Sequence, residues 1–150
     1  VDSFISKKIP HYIRQEIDEI DWGIFEGVEH HPSLQKEYYD IIDQWKQGNL
    51  TMKISGGESA QDLADRVQPF VDEIMNVNSP TILICTHGRT LRVLLCLLLN
   101  KSISKMDEFV HDNTCLYHIE MENENCRLLK ENDLTHLHDK ITIDEIIDKH

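Results

Sequence analysis

The sequence predicts an α/β domain with helices packed on a sheet, and three stretches carry that expectation. Thr81 to Thr86 is short, β-branched and almost wholly apolar, the composition of a buried central strand. Ala60, Leu63, Ala64, Val67, Phe70, Val71 and Ile74 recur at three- and four-residue steps, the spacing of one helix face. Cys115, Tyr117, Ile119 and Met121 alternate with polar residues, and ENEN then leads into CRLLK, which predicts a hairpin whose second strand begins near Cys126.

In chain order, the opening VDSFISKKIPHYIRQEID has no clear period and is broken by Pro10. EIDEIDWGIFEGVEHH is rich in acids and aromatics and punctuated by Gly23 and Gly27, the chemistry of a loop or a short irregular strand. Pro32 suits the first residue of a helix with Leu34, Tyr38, Ile41, Ile42 and Trp45 on one face and Gly48 as its stop. NLTMKISGG connects this helix to the one from Ala60, in which Pro69 is expected to introduce a kink. Asn78-Ser79-Pro80 marks a turn, Leu91 to Leu99 a buried helical segment ending near Asn100, and ITIDEIIDKH a last short helix.

The 150 residues suit one domain, residues 1–150, with 40% hydrophobic and 28% charged side chains. A net charge of -12 argues against broad binding to nucleic acid or to anionic membranes, though a local donor cluster can still hold a small anion. Four cysteines occur without C-x-x-C spacing; Cys85 and Cys96, in apolar runs, read as buried free thiols, and the set as that of a reducing, cytoplasmic protein. The longest apolar run, Val93 to Leu99, is too short to span a bilayer, and no signal peptide is visible. The chain opens on Val1, which points to upstream removal or to a longer chain.

TILICTHGRTLR places His87 where the predicted strand stops and the next helix starts. Ligands of open α/β sheets bind at that edge, Gly88 allows a tight turn, and the free N–H groups of the next helix face the same space. Arg89 and Arg92 are expected to add positive charge. The arrangement would hold a phosphoryl group; a histidine bonded to backbone at an ordinary turn is the plainer reading of this stretch by itself.

DEIDWGIFEG, GGES opening a helix, TILICTHGRTLRVLL, HDNTCLYHIE and ENDLTHL occur in that order from about Glu16 to His136. Together they resemble the histidine phosphatase superfamily, which includes the cofactor-dependent phosphoglycerate mutases and fructose-2,6-bisphosphatase-like enzymes. The resemblance implies a three-layer α/β/α sandwich of the phosphoglycerate mutase-like type and phosphoryl transfer through a phosphohistidine. By the same resemblance His87 is the second active-site histidine, in contact with the phosphoryl group. Glu19, in EIDWG, is the acid that protonates the leaving oxygen and then takes a proton from water. Gly88 and Asn113 are substrate-binding positions. Glu16 and Glu26 are rivals of Glu19, with Glu26 more structural, and Glu58 reads as a helix-start acid. No metal or organic cofactor is implied, and the expected partners are a small phosphorylated substrate and a second copy in a homodimer.

The Arg-His-Gly motif that carries the family's nucleophile is absent, because the only His-Gly is His87-Gly88. The first strand and helix of the fold, and a second phosphate-binding arginine, are therefore expected to be missing, and the chain to be the later part of a longer domain, inactive alone. The reaction expected of the complete protein is hydrolysis of small phosphomonoesters, which the compact stretch His30 to Lys53 favours over mutase-type phosphoryl transfer. A non-catalytic phosphatase-like binding domain is the first rival. A metal site from His136 and His138 with Asp133 or Asp139 is the second, against which exposed surface histidines are the better reading.

Overall fold

The computed structural model describes residues 9–28, 32–122 and 125–140. Two short 3-10 turns, Gln15–Ile17 and Gly23–Phe25, precede helix α1 (Pro32–Lys46), helix α2 (Ala60–Met75) and helix α3 (Gly88–Leu98). A 3-10 segment, Ile103–Glu108, leads into an antiparallel hairpin of β1 (Leu116–Glu122) and β2 (Asn125–Asp133), followed by a last 3-10 segment, Thr135–Lys140.

Helix α1 starts at Pro32 as expected and buries Ile41, Ile42 and Trp45, with the Trp45 indole N–H donating to the Met52 carbonyl at 2.7 Å. It stops at Gly48, whose φ of 93° lets the Asn49 N–H reach back to the Gln44 carbonyl, a Schellman ending that favours glycine. In α2 all seven residues of the predicted stripe are buried. Pro69 lies on its exposed side within a continuous helix, where water can serve the carbonyl that the proline leaves unbonded. Helix α3 packs against α2 and buries Val93, Leu94, Leu95 and Cys96, and it ends with Asn100 at a φ of 53° as the Lys101 N–H bonds the Cys96 carbonyl. Each fully buried valine or leucine here is worth about 1.5–3 kcal/mol. Burial pushes the Cys96 thiol up to about 11, the state of an inert core cysteine. The hairpin lays Tyr117, Ile119, Cys126 and Leu128 on the same apolar cluster.

A capping box starts α2: the Ser59 side chain accepts from the Asp62 N–H, and the Asp62 side chain accepts from the Ser59 N–H, both at 3.1 Å. Ser59→Ala is therefore expected to lower stability by about 1 kcal/mol, read as a lower urea midpoint at unchanged slope. The Lys53 ammonium, then the Ser59 donors, hold the Asp62 carboxyl at about 2 against an ordinary 3.8. A depressed folded value means that this stabilisation is present above the ordinary value and lost as pH falls through the folded one. The stability difference between the wild type and Asp62→Asn should thus shrink from about pH 4 toward pH 2, measured by urea titration at each pH.

One expectation is corrected. Thr81 to Thr86 belongs to no helix and no sheet, and the described residues contain only the two-stranded β1-β2 sheet. A strand exists through its partner's hydrogen bonds, and no neighbouring strand among the described residues supplies them. Ile82 and Ile84 pack on the core, whereas Leu83 is 60% exposed and Cys85 is exposed rather than buried. No described helix is long and apolar enough to cross a membrane. The predicted terminal helix, ITIDEIIDKH, lies outside the described residues.

Candidate active site

The segment Thr81 to Thr86 leads to His87, which starts α3 as its N-cap residue, with φ -115° and ψ 170° and no side-chain capping bond. Its backbone carbonyl accepts the first helical bond, from the Leu91 N–H at 2.7 Å, while its imidazole is exposed and bonded to nothing among the described residues. The plainer reading of a turn histidine tied to backbone therefore lacks its hydrogen bond. Gly88 opens the helix without a positive φ, so the turn itself does not demand glycine, contrary to expectation. A Cβ there would stand 3.5 Å from the His111 Nε2 atom, so the missing side chain keeps a gap open between the helix end and His111.

Glu19 meets this helix end across the chain. Its Oε1 atom accepts from the Thr90 N–H at 3.1 Å, the Thr90 hydroxyl at 3.2 Å and the Ile20 N–H at 3.0 Å, and its Oε2 atom accepts from the Arg89 N–H at 3.3 Å. The helix-end donors expected to face a ligand are thus bonded to the Glu19 carboxylate at residues 89 and 90, and the Gly88 N–H has no partner among the described residues. A carboxylate suits that place, since the N-terminal turn carries partial positive charge.

The backbone beside Glu19 is anchored from several sides. The Thr86 hydroxyl donates to the Ile17 carbonyl at 2.6 Å, and the Thr90 hydroxyl, fully buried, donates to the Asp18 carbonyl at 2.7 Å. The Arg66 guanidinium donates to the carbonyls of Gln15, Glu16, Asp18 and Glu19 at 3.1 to 3.3 Å. It also grips both Glu58 oxygens at 2.7 Å, and Glu58 in turn accepts the Asp21 N–H at 3.0 Å. Burial would raise the Glu58 carboxyl, but the Arg66 guanidinium and the Asp21 N–H outweigh it and hold the group below the usual carboxylate range. Glu58 is therefore an ion-pair partner in a loop clamp rather than simply a helix-start acid. Glu26 has the local role expected of it, accepting the Trp22 N–H at 2.9 Å.

One further expectation changes. Arg89 and Arg92 both bond to the Asp107 carboxylate, with Arg89 also donating to the Tyr38 hydroxyl at 2.9 Å and Arg92 to the Phe109 carbonyl at 3.1 Å. Both guanidiniums are engaged by one carboxylate and by neutral oxygens within the fold, which leaves the pair one net positive charge. Asn113 sits in an exposed turn before β1, its side chain bonded to nothing among the described residues, while His111, two positions earlier, faces Gly88. Glu19, His87 and Gly88 are thus brought to one helix end, and Asn113 stands on the loop beside it. Arg66, Thr90, Asp107 and His111 escaped the sequence reading. Arg66 and Thr90 left one signal, polar residues set among apolar helix positions. At the other end of the chain, His136 is exposed and the Asp133 carboxylate is bonded to Lys130 and Thr135.

The chain is 30% identical over 122 residues to phosphoserine phosphatase 1 of Hydrogenobacter thermophilus, covering 81% of this chain and 57% of that protein. It is 30% identical over 84 residues to a 2,3-bisphosphoglycerate-dependent phosphoglycerate mutase of Rhizobium etli, covering 54% of this chain and 40% of that protein. The chain spans roughly three fifths of the length of the first curated relatives it matches, 61% and 57%. The crystal structure of the alpha-ribazole phosphatase from Shigella flexneri matches with a TM-score of 0.70 at 24% identity, covering 87% of this chain and 64% of that one. A mycobacterial glucosyl-3-phosphoglycerate phosphatase with inorganic phosphate matches with a TM-score of 0.70 at 18% identity, covering 87% of this chain and 68% of that one. The structural likenesses show the fold, and the expected α/β fold of the phosphoglycerate mutase-like type stands. A family profile, histidine phosphatase superfamily (branch 1), matches residues 4–134, and the chain belongs to that superfamily.

Proposed function

We propose that this chain carries the acid and second-histidine half of a phosphomonoester hydrolase that works through a phosphohistidine. The observation that supports this most is the Glu19 carboxylate, which accepts the Arg89 and Thr90 N–H groups at the start of the helix that His87 caps with its own side chain exposed and unbonded among the described residues. In the first step a nucleophilic imidazole nitrogen attacks phosphorus, the bond from phosphorus to the ester oxygen breaks, and the Glu19 proton passes to the leaving alkoxide. In the second step water attacks, the phosphorus–nitrogen bond breaks, and the Glu19 carboxylate takes the proton from water. His87 contacts the phosphoryl oxygens as charge builds on them, with the Gly88 N–H and Asn113 as neighbouring binding groups.

Residues 1–150 hold no Arg-His-Gly motif, so the proposal assigns the nucleophile to a part of the protein outside them and leaves these residues inactive alone. Relatives named as phosphoserine, alpha-ribazole and glucosyl-3-phosphoglycerate phosphatases support small phosphorylated metabolites as the substrate class. The reading includes a cytoplasmic location, no nucleic acid or membrane partner, and self-association as a homodimer. Phosphate release from a panel of small phosphomonoesters tests it. The full-length protein should turn over at least one of them and residues 1–150 none, whereas activity of residues 1–150 would overturn the assignment of the nucleophile. The mutase of Rhizobium etli supports phosphoryl transfer between substrates as the second reading, and phosphate moving to a second hydroxyl rather than to water would favour it.

A further inference from the structure

We propose that Arg66 and Glu58 are a positioning pair for the proton donor, so that the angle at which Glu19 meets the leaving oxygen is set from helix α2. The proposal rests on the reading of Glu19 as the general acid. The segment that carries Glu19 has no regular structure beyond the single turn Gln15–Ile17, so its backbone takes its place from bonds made by other segments, while α3 and the Ile20 N–H hold the carboxylate itself. One Arg66 side chain reaches four points of it, the carbonyls of Gln15, Glu16, Asp18 and Glu19. Glu58 locks that fork by taking its Nε and Nη2 hydrogens at 2.7 Å each, and exchanges bonds with the Asp21 backbone on the far side of Glu19, accepting at 3.0 Å and donating at 2.7 Å.

The clamp closes without slack. A Cβ on Gly57 would stand 2.5 Å from the Asp21 carbonyl oxygen and 2.8 Å from the Gly23 nitrogen, so the two loops press backbone on backbone. Glu19 lies between the Arg66 contacts on residues 15–19 and the Glu58 contacts on Asp21, and both contacts start from one ion pair. A planar five-donor fork can serve two carboxylate oxygens and a row of carbonyls at once, which an ammonium cannot. A shift of a fraction of an ångström here turns the carboxyl away from the leaving oxygen while leaving the helix ends intact.

General-acid help matters in proportion to the basicity of the leaving group. In the full-length protein, Arg66→Lys and Glu58→Gln should lower kcat for an alkyl monophosphate about 10-fold more than for p-nitrophenyl phosphate, whose leaving group needs no proton. Glu19→Gln sets the scale and should shift the ratio of the two rates further in the same direction. The ratio does not depend on what fraction of a variant is folded, and two different variants probe the same pair. If Glu19→Gln shifts the ratio while Arg66→Lys and Glu58→Gln lower both rates equally, the pair is merely structural and the proposal fails. If Glu19→Gln leaves the ratio unchanged, the proton-donor reading itself fails and the positioning role falls with it.

Discussion

Glu19→Gln is expected to lower turnover of alkyl phosphates by about 100-fold or more with little change in KM. Glutamine keeps the size of the side chain, and its amide oxygen can still accept from the Thr90 N–H, the Thr90 hydroxyl and the Ile20 N–H. Its amide nitrogen would face the Arg89 N–H, donor against donor, where the carboxylate accepts at 3.3 Å. That one lost contact costs about 1 kcal/mol of stability. The chemical loss is larger, because an amide can neither give a proton to an alkoxide nor take one from water. Steady-state assays on an alkyl phosphate, beside a urea titration of the same sample, separate the two effects. Near-normal kcat would remove Glu19 from the proton-transfer role.

His87→Ala is the second large effect, expected at about 100-fold or more in turnover. The histidine caps α3 without a side-chain bond, and its ring is exposed, so little packing or hydrogen bonding is lost with it. Stability should stay within about 0.5 kcal/mol of the wild type. A large kinetic loss at nearly unchanged stability is the signature of a residue that works on substrate rather than on the fold. A destabilised variant with normal kcat would instead return His87 to the role of a turn residue.

The helices were legible because burial leaves a period in the sequence. The stripe from Ala60 to Ile74, the Pro32 start and the Gly48 stop of α1, and the alternating hairpin all appear as read. Thr81 to Thr86 shows where that logic ends, since composition reports strand character but not whether a partner strand lies alongside. The misread charges have the same origin. Arg89 and Arg92 looked available beside His87 because Asp107, which takes both, lies on another segment. Glu58 looked like a helix-start acid because its bond to Asp21 spans 37 residues. Glu19 was found through motif order, whereas its bonds to Arg89 and Thr90, 70 and 71 residues away, left no trace in spacing.

The covalent step is the claim on which the rest depends. Rapid-quench labelling of the full-length protein with a phosphomonoester radiolabelled at phosphorus, followed by mapping of the label, tests it most directly. The account predicts an acid-labile phosphohistidine outside residues 1–150, formed much more slowly in His87→Ala. Label on His87 itself, or turnover with no phosphohistidine trapped and an acid-stable label instead, would contradict it.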